Sequence, residues 1–329
     1  MEGHIEAGIN NENDELSTSD ADSAVSISRS STTSITPSIW EHEYINGRRY
    51  HNFRSGRYPL PNDDREQDRE DMMHRIMLQA TNGKLIYALI DEDPQNIVDL
   101  GTGTGIWAIE AADDYPSAQV IGLDLSPIQP DVVPPNVTFI VDDIEDEWLN
   151  GDNFDLVHLR HVMPYLESPE KVLKKAFCHM KPGAWIELQD IDHQCHSDDD
   201  TIPDNWPVTQ LYDLLVDAFQ RFGGNARAAD LGGEYLTNAG FINIQHNYVK
   251  LPFGPWPLDK KKRYVGQFYR EACKEFFPAL AARHFPKMGW TSAETEVFLA
   301  ECREAMKDCS VHAYSKMHFW SGQKSKDAK

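Results

Sequence analysis

The chain has 329 residues, 40 % of them hydrophobic and 26 % charged, which suffices for one large core or one core with a cap. A formal net charge of −22 argues against a phosphate-binding groove, which needs clustered Lys and Arg, so nucleic acid is a poor first partner. Five scattered cysteines (Cys178, Cys195, Cys273, Cys302, Cys309) are never spaced CxxC, and no uncharged apolar run reaches roughly 18 residues, so the expectation is a cytosolic or nuclear protein with reduced thiols and no membrane span.

In chain order, residues 1–38 are acidic and rich in Ser and Thr with few large apolar groups, and are expected to form a solvated tail. Residues 39–92 form an N-terminal lid: a segment dense in Tyr, Arg and His, then a helix running through "DREQDREDMMHRIMLQATNGKLI", N-capped by Asn62 or Asp63, with Met73, Ile76, Met77 and Ala80 on one face. From residue 93 to 329, strand and helix alternate: "NIVDL", a helix over 106–114, "QVIGLDL", "VTFIVDD", "FDLVHL", a helix over 169–180, and "AWIELQD". Apolar strands separated by helices predict an α/β fold, a doubly wound, mostly parallel seven-stranded sheet. "FINIQHNYVKL" and "HAYSKMHFWSGQK" read as a closing pair of strands, and the mostly helical stretch between them, about 254–310, as an inserted cap.

The chemistry concentrates at "NIVDLGTGTGIWAIEAA". Asp99 ends a strand, Gly101, Gly103 and Gly105 follow, and Ile106 opens a helix whose N-terminus offers free N–H groups. The spacing is G-x-G-x-G, with Ile106 where the dinucleotide fingerprint needs its third glycine. Asp99 would repel a pyrophosphate and attract an ammonium group. Asp124 closes the second strand, where a carboxylate can accept from ribose hydroxyls. Asp142 and Asp143 close the third, placed to accept from an adenine amino group with Ile144 against the ring. Three acidic strand tips around a glycine turn describe a cationic, phosphate-free adenosine ligand, and S-adenosylmethionine fits that description.

"VDLGTGTGIWAIE", "GLDLSPIQP" and "DDIEDEW", with "NGRRYHNFRSGRYPLPNDDREQDR" upstream, resemble the fungal LaeA-like subgroup of class I S-adenosylmethionine-dependent methyltransferases. "MKPGAWIELQDID", "LPFGPWP" and "VHAYSKMHFWSGQK" extend the likeness over about residues 40–325. The resemblance implies a Rossmann-like fold in which Gly101, Thr102, Gly103 and Gly105 line the methionine part of the cofactor. It places the ribose at Asp124 and Leu125, and the adenine at Asp142, Asp143 and Ile144. It implies that Tyr50, Arg54 and Tyr58 close over the cofactor. Two departures bear on acceptor and role: Thr102 stands where the group's global regulators carry Cys, and "RHVMPYLES" replaces a Gly-rich segment after the fourth strand.

Methyl transfer from a sulfonium mainly needs alignment and exclusion of water, and a phenol or enol acceptor also needs a base. "FDLVHLRHVMPYL" supplies His158, His161 and Tyr165, and His161, just past the strand end, is the expected catalytic residue. "LQDIDHQCHSDDD" holds Asp190, Asp192, His193 and His196, but their spacing along the chain fits no standard metal pattern and no metal is assigned. "KKKR" at 260–263 reads as the solvated edge of a helix. The expected activity is methylation of a small-molecule acceptor in fungal secondary metabolism; the alternative is a nuclear regulator of metabolite gene clusters acting with a protein partner.

Overall fold

The computed structural model describes residues 3–8, 41–221 and 223–328. The lid begins with a hairpin of β1 (His42–Ile45) and β2 (Arg48–His51), turned by Asn46 and Gly47, both at positive φ (52° and 78°). An Asn-Gly pair is what a two-residue turn with that twist requires. Helix α1 (Asp64–Ala80) follows, and the cap is Asp63: its carboxylate accepts from the Glu66 N–H at 3.1 Å and is held by Arg48 at 2.6 and 2.9 Å. The helix stops earlier than expected, because Asn82 and Gly83 both take positive φ and leave "NGKLI" outside it.

The main sheet alternates largely as predicted: β3 (Asn96–Leu100), α2 (Ile106–Asp114), β4 (Gln119–Asp124), β5 (Val137–Val141), β6 (Phe154–Arg160), α3 (Pro169–His179) and β7 (Met180–Ile191). Two helices for which no element was predicted come next, α4 (Pro207–Arg221) and α5 (Gly232–Ala239), then β8 (Ile242–Pro252). The cap is two helices, α6 (Lys260–Lys287) and α7 (Ser292–Ala305), before the final strand β9 (Tyr314–Gln323). "KKKR" forms the first turn of α6, with Asp259 accepting from the Lys262 N–H at 2.8 Å.

Strand order is β5-β4-β3-β6-β7-β9-β8, parallel except that β9 runs antiparallel to both β7 and β8. From β3 the chain winds outward to β4 and β5 on one side, then returns to β6 and β7 on the other. The crevice above the carboxyl ends of β3 and β6 is therefore the switch point, where open α/β sheets bind ligands. Met73, Ile76 and Met77 of α1 are buried in one core with Leu211 and Leu215 of α4 and Phe277 and Leu280 of α6. Lid and cap thus close over the sheet as one apolar unit rather than as two separate flaps.

The start of the segment read as a solvated tail packs on the domain. Ile5 is buried against Trp256 and Tyr314, Ala7 bridges to Pro257, and Lys250 Nζ donates to the Gly3 carbonyl at 2.9 Å. Residues 9–40, the rest of that segment, lie outside the described residues. No described helix is long and apolar enough to cross a membrane.

Candidate active site

The glycine turn sits at the switch point. Gly105 N-caps α2 at φ 82°, and a side chain there would collide with the Phe139 ring, 2.4 Å from the Cβ position. Gly103, at φ 57°, lies under Glu70 of α1, whose Oε2 is 2.7 Å from where a Cβ would stand. Only a bare backbone lets α1 approach this closely. Thr104 Oγ1 donates to Asp71 at 2.7 Å, which ties helix and turn together.

Gly101, Thr102, Gly103, Asp124, Leu125, Asp142, Asp143, Ile144, Tyr58 and His161 all line one cavity. Four expected residues do not. Tyr50 is buried between the hairpin and α6 with the Arg283 guanidinium 4.1 Å from its ring centre, and Arg54 is a half-exposed partner of Asp146. Their neighbour Arg57 takes the place expected of Arg54, lying 3.4 Å from Asp143, 3.6 Å from Glu145 and 2.8 Å from Glu167. Gly105 serves the helix start instead of the wall. Asp99 is one layer behind the wall: its carboxylate accepts from Thr102 Oγ1 at 2.7 Å and pairs with His158 Nδ1 at 2.7 Å, and His158 stacks on Trp107 at 3.6 Å. Asp99 therefore fixes the turn from beneath rather than meeting a ligand.

The acidic tips have distinct partners. Asp124 accepts the Gly103 N–H at 2.9 Å and the Ser126 N–H at 2.8 Å, and burial pushes its carboxyl up to about 6 against those bonds. Asp143 accepts the Glu145 N–H on Oδ1 at 2.9 Å, while its buried Oδ2 has no hydrogen-bond partner among the described residues. Arg57 Nε stands 3.4 Å from that oxygen as an ion pair, which leaves room for a hydrogen-bond donor from the cavity. Glu70, absent from the sequence reading, is pushed up to about 8 by burial, with Arg69 opposing and Glu66 and Asp124 reinforcing. Its protonation makes it the one acid at this end that a bound cation would ionise.

Beyond the turn the cavity widens into a chamber walled by Tyr58, Tyr165, Tyr212, Tyr269 and Phe276. Tyr58 meets Tyr165 edge to face with centroids 4.8 Å apart. Arg69 enters this wall over the Phe276 ring at 5.4 Å, but Glu66 holds its charge at 2.7 Å. His74, His161 and His193 line the cavity. His161 is held at φ 58° with its backbone N–H on the Gln189 carbonyl at 2.9 Å, its Nε2 has no hydrogen-bond partner among the described residues, and burial drives it well below the usual histidine range. His193 places Nδ1 3.1 Å from the Ala226 carbonyl, so that nitrogen carries the proton and Nε2 keeps a lone pair. Burial also lowers His193, offset in part by that bond and by Asp192. Asp190, beside them, is raised well above the usual carboxyl range by burial, and its Oδ1 is unpartnered.

Comparison with known proteins agrees with this architecture. The methyltransferase domain family matches residues 65–223. The methyltransferase pytC of Aspergillus terreus is 37 % identical over 86 % of this chain and 88 % of its own length. The secondary metabolism regulator LAE1 of Cochliobolus heterostrophus is 36 % identical over 85 % of this chain and 94 % of its own. The protein-methionine methyltransferase laeA of Emericella nidulans is 36 % identical over 85 % of this chain and 75 % of its own. With identity at this level spread over most of each chain, and with a doubly wound sheet carrying the glycine turn, the chain belongs to the LaeA-like family of methyltransferases.

Proposed function

We propose that the protein transfers a methyl group from S-adenosylmethionine to a hydroxyl of a small molecule in fungal secondary metabolism. One observation carries this reading: a single cavity joins the glycine turn and the acidic tips of the second and third strands to an aromatic chamber reached by His161 and His193, both lowered by burial. The residues fit the cofactor. Glu70 and the turn suit the methionine ammonium, Asp124 the ribose hydroxyls, and Asp143 Oδ2, with Ile144, the adenine amino group and ring. Arg160, buried and lining the cavity with Nη1 2.9 Å from His74 Nδ1, suits the methionine carboxylate. The bound cofactor supplies an electrophilic methyl group on a sulfonium.

The chain's own work is alignment, exclusion of water and removal of a proton. The tyrosine and phenylalanine walls hold a flat acceptor, and with Arg69 neutralised by Glu66 nothing there selects an anionic one. His193 Nε2 takes the hydroxyl proton, and its Nδ1 bond to Ala226 keeps the ring in the accepting tautomer. His161 accepts a hydrogen bond that orients the acceptor. The pytC methyltransferase supports a metabolic substrate. Relatives named secondary metabolism regulators support the second reading, a nuclear protein acting on gene clusters with a partner. A chamber closed by α1, α4 and α6 favours the first. Metabolite profiling of a deletion strain separates them: loss of one methylated compound supports the enzyme, and collapse of many unrelated compounds supports the regulator.

A further inference from the structure

Beside β7 and β9, three side-chain atoms from distant parts of the chain converge. His318 Nε2 of β9 lies 3.7 Å from Asp192 Oδ2, just past β7, and 3.7 Å from Asp230 Oδ1 in the turn before α5. All three atoms fall within 4.8 Å of one another. His318 is 5 % exposed and Asp192 is fully buried, yet His318 Nε2 has no hydrogen-bond partner among the described residues. The separations are too long for hydrogen bonds. They suit ligands around one ion, which would reach each atom at about 2.0–2.2 Å after shifts of a few tenths of an ångström.

The surroundings hold these groups in place. Asp192 Oδ1 accepts the Lys316 N–H at 2.8 Å, and Asp192 Oδ2 accepts from His196 Nε2 at 2.6 Å. His318 Nδ1 is 3.1 Å from His246 Nε2, and His246 stacks on Trp320 at 3.7 Å. When His318 donates from Nδ1 to His246, its Nε2 is a lone pair facing the two carboxylates. Asp192 Oδ2 has His196 as its donor and Asp230 reaches solvent, but the buried His318 Nε2 has no partner among the described residues, and a cation between the three groups would give it one.

We infer that Asp192, Asp230 and His318 form a site for one divalent transition-metal ion of the zinc type. An imidazole with two carboxylates suits a borderline ion better than magnesium or calcium, which take oxygen alone. Asp230 is partly exposed, leaving room for water to complete the coordination. The spacing of "LQDIDHQCHSDDD" could not reveal this, because only Asp192 comes from that stretch. The ion would pin the turn carrying Asp230 to the sheet. In the same turn Ala226 holds His193 and the Asn225 N–H bonds the Pro164 carbonyl at 2.9 Å, so the site braces the acceptor wall.

The inference is independent of methyl transfer and is tested on the full chain without substrate. After chelation and dialysis, zinc titrated by calorimetry is expected to bind with one equivalent per chain and to raise the melting temperature. Cobalt bound in its place should show no thiolate charge-transfer band, which separates this site from the free cysteines. His318→Ala and Asp230→Asn should each weaken zinc binding at least about tenfold, since outright ligand loss is expected to exceed the effect of losing a residue that merely orients one. Asp230→Asn, at a partly exposed turn, controls for misfolding of the buried variant. Zinc binding that is absent in the native chain, unchanged in Asp230→Asn, or accompanied by a thiolate band overturns the site.

Discussion

The two ends of the cavity are built in different ways. The cofactor end is made of strand tips and one turn, each contiguous in the chain: the glycines within residues 101–105, Asp124 at the end of β4, Asp143 two residues past β5. The acceptor end is assembled from side chains on α1, α4 and α6 and from loops after β6 and β7, tens to hundreds of residues apart. A site made of local backbone geometry is constrained by what the turn itself must do. One made of side chains on packed helices can change partner by partner, which suits relatives of one family that bear different names for what they act on.

The sharpest break in this comparison is Gly103→Asp. It drives a side chain into Glu70, 2.7 Å from the Cβ position, at a backbone φ that disfavours it, and adds a second carboxylate there. Calorimetry should find S-adenosylmethionine binding lost altogether while the melting temperature falls only modestly. Retained binding would mean that the turn does not hold the cofactor. At the other end, His193→Ala should lower kcat by about 100-fold, a typical contribution of a positioned base, with cofactor affinity unchanged. In the native protein kcat should rise with pH through the lowered His193 range and then level off, and that rise should vanish in the variant. A variant with unaltered kcat would return the role of base to His161.

Glu70 provides a smaller effect with a defined sign. Its carboxyl is raised from 4.5 to about 8 in the folded protein, so its contribution to stability is fully present below 4.5 and is lost as pH rises through 8. A bound ammonium favours the ionised carboxylate. Cofactor affinity should therefore increase with pH up to about 8 and then flatten, with proton release on binding, and Glu70→Gln should abolish that slope. Buffer-dependent calorimetry measures the released proton, and a native protein that releases none would remove Glu70 from the cofactor contacts. The smallest effect is expected from Arg54→Ala. An exposed pair with Asp146 is worth at most about 1 kcal/mol, so cofactor affinity should stay within about twofold of native. A large loss would restore the expectation that Arg54 closes over the cofactor.

The same contrast explains what was legible. The alternation of strands and helices, the G-x-G-x-G turn and the acidic tips could be read because their meaning is set by nearest neighbours along the chain. Glu70 could not: α1 was assigned by its apolar face, and only the approach of that helix to Gly103 gives a role to the acid one turn before Met73. Tyr50 of the entry segment lies outside the cavity wall, since a hairpin turns alternate residues to opposite faces and its ring meets Arg283. What separates His193 from His161 is that the Ala226 carbonyl fixes the ring of the first, while the Gln189 carbonyl holds only the backbone N–H of the second, which is a tertiary fact. By contrast α4 was readable and passed over, since Val208, Leu211, Tyr212, Leu215 and Phe219 follow a helical period.

Helix α1 carries Glu70 against the glycine turn and, one turn on, Met73 in the core shared with α4 and α6. Both side chains line the cavity from one side of the same rod, so its two ligands share a wall. Any change in α1 that one ligand makes is felt by the other, and by the same factor in both directions. Such an enzyme would favour an ordered sequence of arrival, with the cofactor loading first and its spent form leaving last.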